Sequence, residues 1–433
     1  MRMEGVYTYP LKQHIGGPSK PIVQQGDKVL RGQLIAEAAE NQLGANVFTS
    51  VSGVVREVTE QLICIIADET QSKEYVKLTS KAPLDLIRES GLVGLGGAGF
   101  PTYAKLQKPF DNGGTIIVNA AECEPILDHN MHRIATEADN LIKGLKIVME
   151  VVNANKGIIA IKDIHTEEIE NLKVSINESN IAVAPLPNMY PMGEERAIVR
   201  EVLGILLEVD QLPMAGKAIV INAETVLRIR EAVEDKKPLI DKDMTVGGKL
   251  KGALTQVMLD IPLGMSVGDV FKKAGGIGLK YGEIIMGGPF TGKRVNLTDP
   301  IIKTTGGLIA TEEFWKGPEK IGLLVCACGG NKERLEEIAA SMGSKVVGVA
   351  YCKQAIEIKN GTRKCENPGK CPGQVEKVLK LKKDGAQALL ISNCTDCSNT
   401  VMSCAPQLKL PVYHCTDGAL RAVNMKLVRK IKV

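Results

Sequence analysis

Three runs of β-branched residues, each ending in polar residues, constrain the fold of the middle of the chain. They are TIIVNAAE (115–122), GIIAIKD (157–163) and KAIVINAE (217–224). Between the first two lies EADNLIKGLKIVMEVV (137–152), whose apolar residues recur at about the 3.6-residue period of a helix. Apolar strands that alternate with helices are typical of a parallel sheet covered on both faces. We therefore predict an α/β domain with a largely parallel sheet over residues 76–235.

The remaining residues divide into three further domains, because a chain of 433 residues is too long for one hydrophobic core. Residues 1–75 alternate short apolar stretches with turn signals, which predicts an all-β domain. The pair GDKVLRGQLIA and SVSGVV resembles the barrel-sandwich of biotinyl and lipoyl domains, but no lysine that could be modified occurs between Lys28 and Lys73. Residues 236–318 combine glycines with short strands, which predicts a small α+β module, and residues 319–433 return to strand–helix alternation.

Composition excludes some classes of function. The charges are nearly balanced, with 54 Lys+Arg against 50 Asp+Glu, and aromatic residues make up 3%. A nucleic-acid-binding protein would carry a clustered basic face or aromatic stacking platforms, so we expect no nucleic-acid partner. The first residues contain no apolar signal segment and no apolar run reaches about 18 residues, so we expect a cytoplasmic chain without a transmembrane segment. Thiols stay reduced there, so the eleven cysteines indicate catalytic or metal-binding roles.

The glycine-rich stretch GLVGLGGAGFPTYAKL (91–106) is a candidate ligand site. Five glycines fall between Gly91 and Gly99, and they remove the Cβ atoms that would block a flat or phosphorylated ligand. Backbone N–H groups of a loop that leads into a helix bind phosphate well, and Lys105 could add a positive charge. The alternative is a tight turn that only packs two elements together.

Nine of the eleven cysteines lie between Cys326 and Cys415. Within residues 319–433 we predict strands at IGLLVCA, KVVGVAY, AQALLIS and LPVYHC, in a four-stranded doubly wound unit that ends in a helix over 418–431. Open α/β folds place their ligands at the carboxyl ends of such strands. The cysteines expected at this edge are Cys326, Cys328, Cys352, Cys394, Cys397 and Cys415, together with Cys365 and Cys371 from a Gly/Pro loop, while Cys404 lies one short helix away.

Three functions remain open for these thiols. An iron–sulfur cluster needs about four thiolates at one point, which Cys326, Cys328, Cys394 and Cys397 could supply. A dithiol relay needs one pair, such as the CTDC stretch (394–397), and two close pairs also suit a structural zinc ion. The alternative to all three is a set of buried structural cysteines, because cysteine is a common core residue.

Four motifs occur in one order: GLGGAGFPTYAKL, VNAAECEPILDHNMHRI, MYPMGEERAIVREVLG and VINAETVLRI. This series resembles the FMN-binding core shared by RnfC, of the Rnf NADH:ferredoxin complex, and the NADH-oxidising subunit of respiratory complex I. The start of the chain and the segment MTVGGKLKG … PIIKTTGGLIA also resemble RnfC. The resemblance covers residues 1 to about 315 and implies a barrel-sandwich domain (1–75), a Rossmann-like FMN/NADH-binding domain (76–235) and an SLBB (β-grasp-like) domain (236–318).

The resemblance also implies roles for matching residues. Phe100 would stack on the nicotinamide ring of NADH, and Phe100 and Glu194 are the expected catalytic residues. Ala121 departs from the pattern, because complex I has an acidic residue there. From the residues alone, Glu194 and Glu195 would be a solvated helix start. The residues expected to bind FMN are Gly94, Gly96, Gly97, Lys105, Asn119, Glu122, Cys123, Glu124, Tyr190, Gly193, Glu194, Glu195, Asn222 and Thr225.

The C-terminal end departs from RnfC proteins, which continue into two ferredoxin-type repeats, C-x2-C-x2-C-x3-C-P, that are absent here. With CACGGN, CENPGKCPGQVEKVLKLKKDGA and ISNCTDCSNTVMS, the whole chain resembles the PrdC family of electron-transfer proteins associated with D-proline reductase. That resemblance implies transfer of electrons from NADH through FMN and a cysteine-rich redox domain (319–433) to D-proline reductase. The alternatives are an RnfC-like subunit of an NADH:ferredoxin oxidoreductase and a non-catalytic scaffold with structural zinc.

Overall fold

The computed structural model describes residues 5–358 and 361–429. Its first part is built from two antiparallel sheets, one of four strands in the order β1-β7-β6-β3 and one of three in the order β2-β4-β5. Alternate residues of β6 and β7 are buried between these layers, as expected for strands with one solvated face. The strands are β1 (Val6–Pro10), β2 (Lys20–Pro21), β3 (Lys28–Val29), β4 (Leu34–Glu37), β5 (Val47–Phe48), β6 (Gly53–Val58) and β7 (Leu62–Ala67).

The middle part contains the parallel sheet, with strand order β10-β9-β8-β11. All three predicted β-branched runs form strands of this sheet, and the predicted helix over 137–152 is the second half of a longer helix. The elements are α1 (Pro83–Glu89), α2 (Thr102–Leu106), β8 (Thr115–Ala120), α3 (His129–Val151), β9 (Lys156–Lys162), α4 (Thr166–Ser175), β10 (Ile181–Leu186), α5 (Glu195–Leu203), β11 (Ala218–Asn222) and α6 (Ala223–Arg230).

The third part is a mixed five-stranded sheet with one short helix, in the order β13-β12-β16-β14-β15. Strand β12 is buried along its whole length; it pairs with β13 on one side and with β16 on the other, and α3 packs against it. The elements are β12 (Asp241–Gly248), β13 (Thr255–Pro262), α7 (Val267–Lys273), β14 (Ile284–Met286), β15 (Lys293–Val295) and β16 (Gly307–Ala310).

The C-terminal part contains a second parallel sheet, in the order β18-β17-β21-β22. The helix predicted over 418–431 is wrong in length: α11 ends at Ala422, and Asn424 follows in the left-handed region (φ 57°), which stops the helix. Residues 430–431 of that prediction lie outside the described residues. The elements are β17 (Lys320–Val325), α8 (Lys332–Ser341), β18 (Lys345–Tyr351), β19 (Ala355–Glu357), β20 (Arg363–Cys365), α9 (Val375–Lys383), β21 (Ala388–Ile391), α10 (Thr395–Met402), β22 (Val412–His414) and α11 (Asp417–Ala422).

The hydrophobic cores follow this division. One core runs continuously through the first three parts and includes Ile63, Leu141 and Val246, which have no exposed surface. The C-terminal sheet has a separate core on each face, because successive side chains of a strand point to opposite sides. Leu323 packs on the face covered by α8, and Leu324 packs on the face covered by α9 and α10.

A buried ionic network joins the middle part to the third part. Arg133 of α3 donates from Nε to Asp243 Oδ2 at 2.7 Å, and Arg228 of α6 donates to Asp243 Oδ1 at 3.0 Å. The two guanidinium groups hold the pKa of Asp243 well below its usual range. Lys242 donates to Glu224 in the same layer, and both side chains are almost fully buried. Buried charges are tolerated only when paired in this way, so the two parts are fixed against each other.

Lys303 is buried and pairs with no carboxylate among residues 5–358 and 361–429. Its side chain is 1% exposed, and Nζ donates to the carbonyl of Asn46 at 2.6 Å and to that of Gly91 at 2.7 Å. Burial lowers the pKa of Lys303 to about 7 from the usual 10.5. One amino group therefore ties a loop of the first part and the start of the glycine-rich loop to the third part.

Replacing Lys303 with Met should change how stability depends on pH. Between pH 7 and 10.5 the unfolded chain binds more protons at this residue than the folded chain, so this group makes wild-type stability rise with pH. Over the whole window the rise should be on the order of 4 kcal/mol. Lys303→Met should lack this rise, apart from a constant offset from two lost hydrogen bonds. Thermal melting from pH 6.5 to 10 measures the pH-dependent rise and the constant offset. Lys280→Met, at an exposed lysine, is the control. Parallel pH profiles for wild type and Lys303→Met would contradict the assignment.

Candidate flavin site and thiol centre

The glycine-rich loop between α1 and α2 presents unpaired backbone donors. The Gly94 amide donates to the carbonyl of Phe100 at 2.9 Å, and the Leu95 amide donates to Thr225 Oγ1 at 3.0 Å, which closes the base of the loop. The exposed amides of residues 96–98 have no hydrogen-bond partner within the described ranges. A Cβ on Gly96 would lie 2.4 Å from Asn222 Nδ2, so only glycine fits there. This loop has the free N–H groups that a phosphate requires.

Two asparagines at the carboxyl ends of adjacent strands lie beside this loop. Asn119 of β8 and Asn222 of β11 are paired in register. Asn119 Nδ2 donates to the Gly193 carbonyl at 2.9 Å, and Asn222 Oδ1 caps α6 by accepting from the Thr225 amide at 3.2 Å. A Cβ on Gly193 would lie 2.9 Å from Cys123 Sγ. The structure therefore brings these predicted flavin-site residues together at the sheet edge where open α/β folds bind ligands.

Lys105 and Glu195 form an ion pair across the site. Lys105 Nζ donates to Glu195 Oε1 and to the Val220 carbonyl, both at 2.6 Å. Glu194 caps α5, since its carboxylate accepts from the Ala197 amide at 2.9 Å and from Arg196 Nε at 3.0 Å. Both glutamates thus lie at a helix start, where the helix dipole favours negative charge.

The acidic residues after β8 contact two different parts of the chain. Glu122 accepts from Asn130 Nδ2 at 2.6 Å within the middle part. Glu124 accepts from the amides of Phe290 and Thr291 at 2.8 and 2.9 Å, in the third part. Burial is the largest influence on Glu124 and raises the pKa of its carboxyl to about 7. Glu124 therefore joins the flavin site to the loop after β14.

The C-terminal thiols meet at the carboxyl edge of the second parallel sheet. Cys326 follows β17, Cys352 follows β18, and Cys397 lies in the first turn of α10. The Sγ atoms of these three residues lie within 4.8 Å of one another. Cys394, the N-cap of α10, contacts Cys326 and Cys397. The strand pattern correctly predicted this convergence.

Further thiols surround this group. Cys328 contacts Cys326 and Cys365, and Cys371 contacts Cys397. Cys415 directly follows β22 at the same edge, as predicted, but its side chain packs in the core beside α8, where burial raises its pKa to about 12. A position at a strand end does not fix which face of the sheet the side chain takes. For this reason Cys415 lies apart from the other thiols. The thiol centre is defined as Cys326, Cys328, Cys352, Cys365, Cys371, Cys394 and Cys397.

Tyr190 joins the flavin site to the thiol centre. Its ring stacks on Phe290 with centroids 3.7 Å apart, and its hydroxyl donates to the Cys328 carbonyl. The Tyr190 amide donates to Thr395 Oγ1 at 3.1 Å, and the Thr395 amide donates back to the Tyr190 carbonyl at 3.2 Å. Cys123 packs in the same buried cluster as Cys326. One side chain therefore lines both candidate sites.

Two arginines of α5 strengthen this junction. Arg196 donates to the carbonyl of Cys365, and Arg200 donates to Asn367 Oδ1 at 2.6 Å and to the carbonyl of Pro368 at 2.9 Å. Both arginines, together with Phe290 and Thr395, were not predicted from the sequence. No local signal identifies them, since each makes its contact with a segment distant in the chain.

Comparison with known proteins identifies the first two parts of the fold. Residues 87–231 match the Nuo51 FMN-binding domain, and residues 1–72 match the RnfC barrel sandwich hybrid domain. Over 320 residues the chain is 33% identical to the C subunit of the proton-translocating ferredoxin:NAD(+) oxidoreductase complex of Clostridium ljungdahlii, covering 69% of each chain. The chain belongs to this family of oxidoreductase C subunits.

Other relatives agree with this membership. The C subunit of the Na(+)-translocating ferredoxin:NAD(+) oxidoreductase complex of Acetobacterium woodii is 32% identical over 321 residues, or 69% of this chain and 72% of that protein. The cobalamin reductase PduS of Citrobacter freundii is 38% identical over 224 residues, or 52% of this chain and 48% of that protein. The predicted FMN-binding domain and barrel-sandwich are confirmed. Of the helices in residues 5–358 and 361–429, none combines the length and apolar character of a membrane span.

The open space over Gly97 provides a test of the flavin site. A Cβ built there meets no protein atom within 4 Å, so Gly97→Ala should leave the fold unchanged. If FMN occupies this space, the added methyl group should weaken FMN binding by about tenfold or more, because overpacking costs roughly 1–3 kcal/mol. Titration of the flavin-free protein with FMN measures the effect. Gly216→Ala, at a helical glycine with ordinary van der Waals clearance, is the matched control. Equal FMN affinity for both variants would count against this site.

Proposed function

We propose that the chain oxidises NADH at its FMN-binding domain and passes the electrons to the thiol centre, from which a partner protein accepts them. The observation that carries this proposal is the position of Tyr190, which stacks on Phe290 beside the flavin site and donates to the Cys328 carbonyl. The contacts of Tyr190 with both sites support transfer of electrons between them.

The proposed flavin site uses the residues at the carboxyl edge of the first parallel sheet. FMN, when bound, accepts a hydride and releases electrons singly, which suits a relay from NADH to a thiolate-held centre. The free amides beyond Gly94 would hold its phosphate, with Lys105 nearby as a positive charge. Glu194 caps α5, and its proposed role is to fix the start of this helix at the flavin site. The proposed lining comprises Asn119, Glu122, Cys123, Glu124, Tyr190, Gly193, Glu195, Asn222 and Thr225 together with Gly96 and Gly97.

The domain division is part of the proposal. We assign residues 1–75 to the barrel-sandwich, 76–235 to the FMN/NADH domain, 236–318 to an SLBB domain and 319–433 to a cysteine-rich α/β redox domain. The mixed sheet of the third part supports a β-grasp-like SLBB assignment, because one short helix packs beside its strands. The second parallel sheet, with the thiols at its carboxyl edge, supports the redox assignment of the last domain.

Two electron acceptors are candidates. The relatives named above are subunits of ferredoxin:NAD(+) oxidoreductase complexes, which favours ferredoxin or another subunit of such a complex. The second candidate is D-proline reductase, which rests on the resemblance of the C-terminal motifs to the PrdC family. The absence of C-x2-C-x2-C-x3-C-P repeats favours this second candidate, since a ferredoxin-type relay would carry them. Anaerobic assays with purified ferredoxin and with D-proline reductase, each with NADH as donor, separate the two.

Phe100 should contribute to NADH binding. Its ring is 40% exposed at the glycine-rich loop and free to stack on a nicotinamide. Phe100→Ala should raise the KM for NADH by about tenfold, because an aromatic stacking contact is worth roughly 0.5–1.5 kcal/mol beyond the area it buries. The FMN content should not change. Trp315→Ala removes a similarly exposed ring near the end of the proposed SLBB domain and is the control. An unchanged KM would remove Phe100 from the NADH site.

The double variant Cys394→Ser/Cys397→Ser tests the relay. NADH should still bleach the visible flavin absorbance, because the flavin residues are intact, while transfer to the acceptor should be lost. Stopped-flow reduction and steady-state transfer measure the two steps separately. Onward transfer at the wild-type rate would show that the thiols have only a structural role. A colourless wild-type protein that contains zinc alone would support the scaffold alternative.

A further inference from the structure

We propose that Cys326, Cys352, Cys394 and Cys397 ligate one iron–sulfur cluster. Cys352 thus replaces Cys328 in the set of four ligands expected from the sequence. This assignment rests on the proposed relay function and specifies its second redox centre. Cys328 and Cys365 then form a separate thiol pair at the border of the cluster.

Sheet topology explains why these four thiols meet. The order β18-β17-β21 makes the three strands neighbours, and their carboxyl ends carry Cys352, Cys326 and Cys394 in turn. Cys397 lies one helical turn beyond Cys394, on the same side of α10. Parallel neighbours about 4.8 Å apart bring consecutive strand ends within the span of one cluster. The backbone therefore brings these four residues to one place, and the side-chain contacts decide between Cys352 and Cys328.

The contacts of Cys352 and Cys328 differ. Cys352 contacts both Cys326 and Cys397, so it closes the group formed with Cys394. Cys328 contacts Cys326 on one side and turns to Cys365 on the other. A cluster ligand must lie close to the other ligands rather than to only one of them.

Burial also distinguishes Cys328 from the four proposed ligands. The side chains of Cys326, Cys352, Cys394 and Cys397 are 2–4% exposed, whereas Cys328 is only partly buried. Gln374 is fully buried, and its Nε2 lies 3.1 Å from Cys352 Sγ and 3.7 Å from Cys397 Sγ. Amide donors to the sulfurs stabilise the negative charge of a buried cluster and tune its potential. The start of α10 adds a favourable dipole at Cys394.

Buried polar atoms around the thiols also indicate an occupant. Both polar side-chain atoms of Asn393, which directly precedes Cys394, have no hydrogen-bond partner among the described residues. Such groups cost free energy when they stay unpaired in the interior. The amide N–H groups could be satisfied by cluster sulfide, which accepts hydrogen bonds.

Redox chemistry favours iron–sulfur over zinc. A structural zinc ion and a [4Fe–4S] cluster are both closed by four ligands, so the number of thiols does not separate them. Zinc has no redox chemistry, whereas an iron–sulfur cluster can accept the single electrons that the proposed relay delivers.

The full-length chain, purified without oxygen, allows a direct comparison of Cys352→Ser with Cys328→Ser. Cys352→Ser should lose most of the iron and acid-labile sulfide, from about four of each per chain, if the cluster is of the [4Fe–4S] type. Cys328→Ser should keep both. Cys404→Ser is the control, because Cys404 contacts backbone carbonyls of α10. FMN content and NADH bleaching should be unchanged in all three variants, which separates failure of this assignment from failure of the proposed flavin function.

The opposite result, or equal loss of iron from Cys352→Ser and Cys328→Ser, would overturn the assignment, as would a wild-type protein with zinc and no iron. If Cys352→Ser does not accumulate, alkylation of the wild-type protein decides. Iodoacetamide followed by mass spectrometry should label Cys328 before iron removal, and Cys352 only after oxidation and chelation remove the iron. Labelling of Cys352 in the iron-loaded protein would overturn the proposal.

Discussion

The contact between the carboxyl edges of two parallel sheets is the constraint on which the rest of the structure depends. The loop after β10 carries Tyr190, and the first turn of α10 carries Thr395, and their reciprocal backbone and side-chain hydrogen bonds join the two edges. Both edges are places where an α/β sheet binds a ligand. Joining them brings two ligand sites together without either domain having to change its own fold.

Buried charges fix the orientation of the domains at some cost in stability. The layer of Arg133, Arg228 and Asp243 lies between the FMN-binding domain and the mixed sheet, and Lys303 is buried with only carbonyl partners. Apolar residues of similar volume would often be as stable or more stable. Polar contacts, however, require one relative position of their partners, whereas apolar surfaces can slide. These side chains therefore define the position of the glycine-rich loop that begins at Gly91.

Much of the architecture could be predicted from the sequence, and the failures have physical reasons. Strand–helix alternation predicted both parallel sheets, and cysteines at strand ends predicted that thiols meet at the carboxyl edge of the second sheet. The choice between Cys352 and Cys328 could not be predicted, because it depends on which strands are neighbours, and strand order is a property of the whole fold. The roles of Glu124 and Phe290 were hidden for the same reason, since their contact joins residues 166 positions apart. The helix predicted to 431 failed where a backbone turn at Asn424 outweighed a continuing apolar pattern.

The contacts of Tyr190 have a consequence for how such a chain can diversify. Its ring packs on the mixed sheet and its hydroxyl on the C-terminal domain, so one wall of the flavin site is completed by residues outside the FMN-binding domain. Exchange of the last domain for a different domain would remove that support. A new domain must therefore supply an acceptor for this hydroxyl, or the loop after β10 must be rebuilt with it. Domain replacement and the sequence of the candidate flavin site are thereby coupled, and the residues around Tyr190 should change together with the last domain.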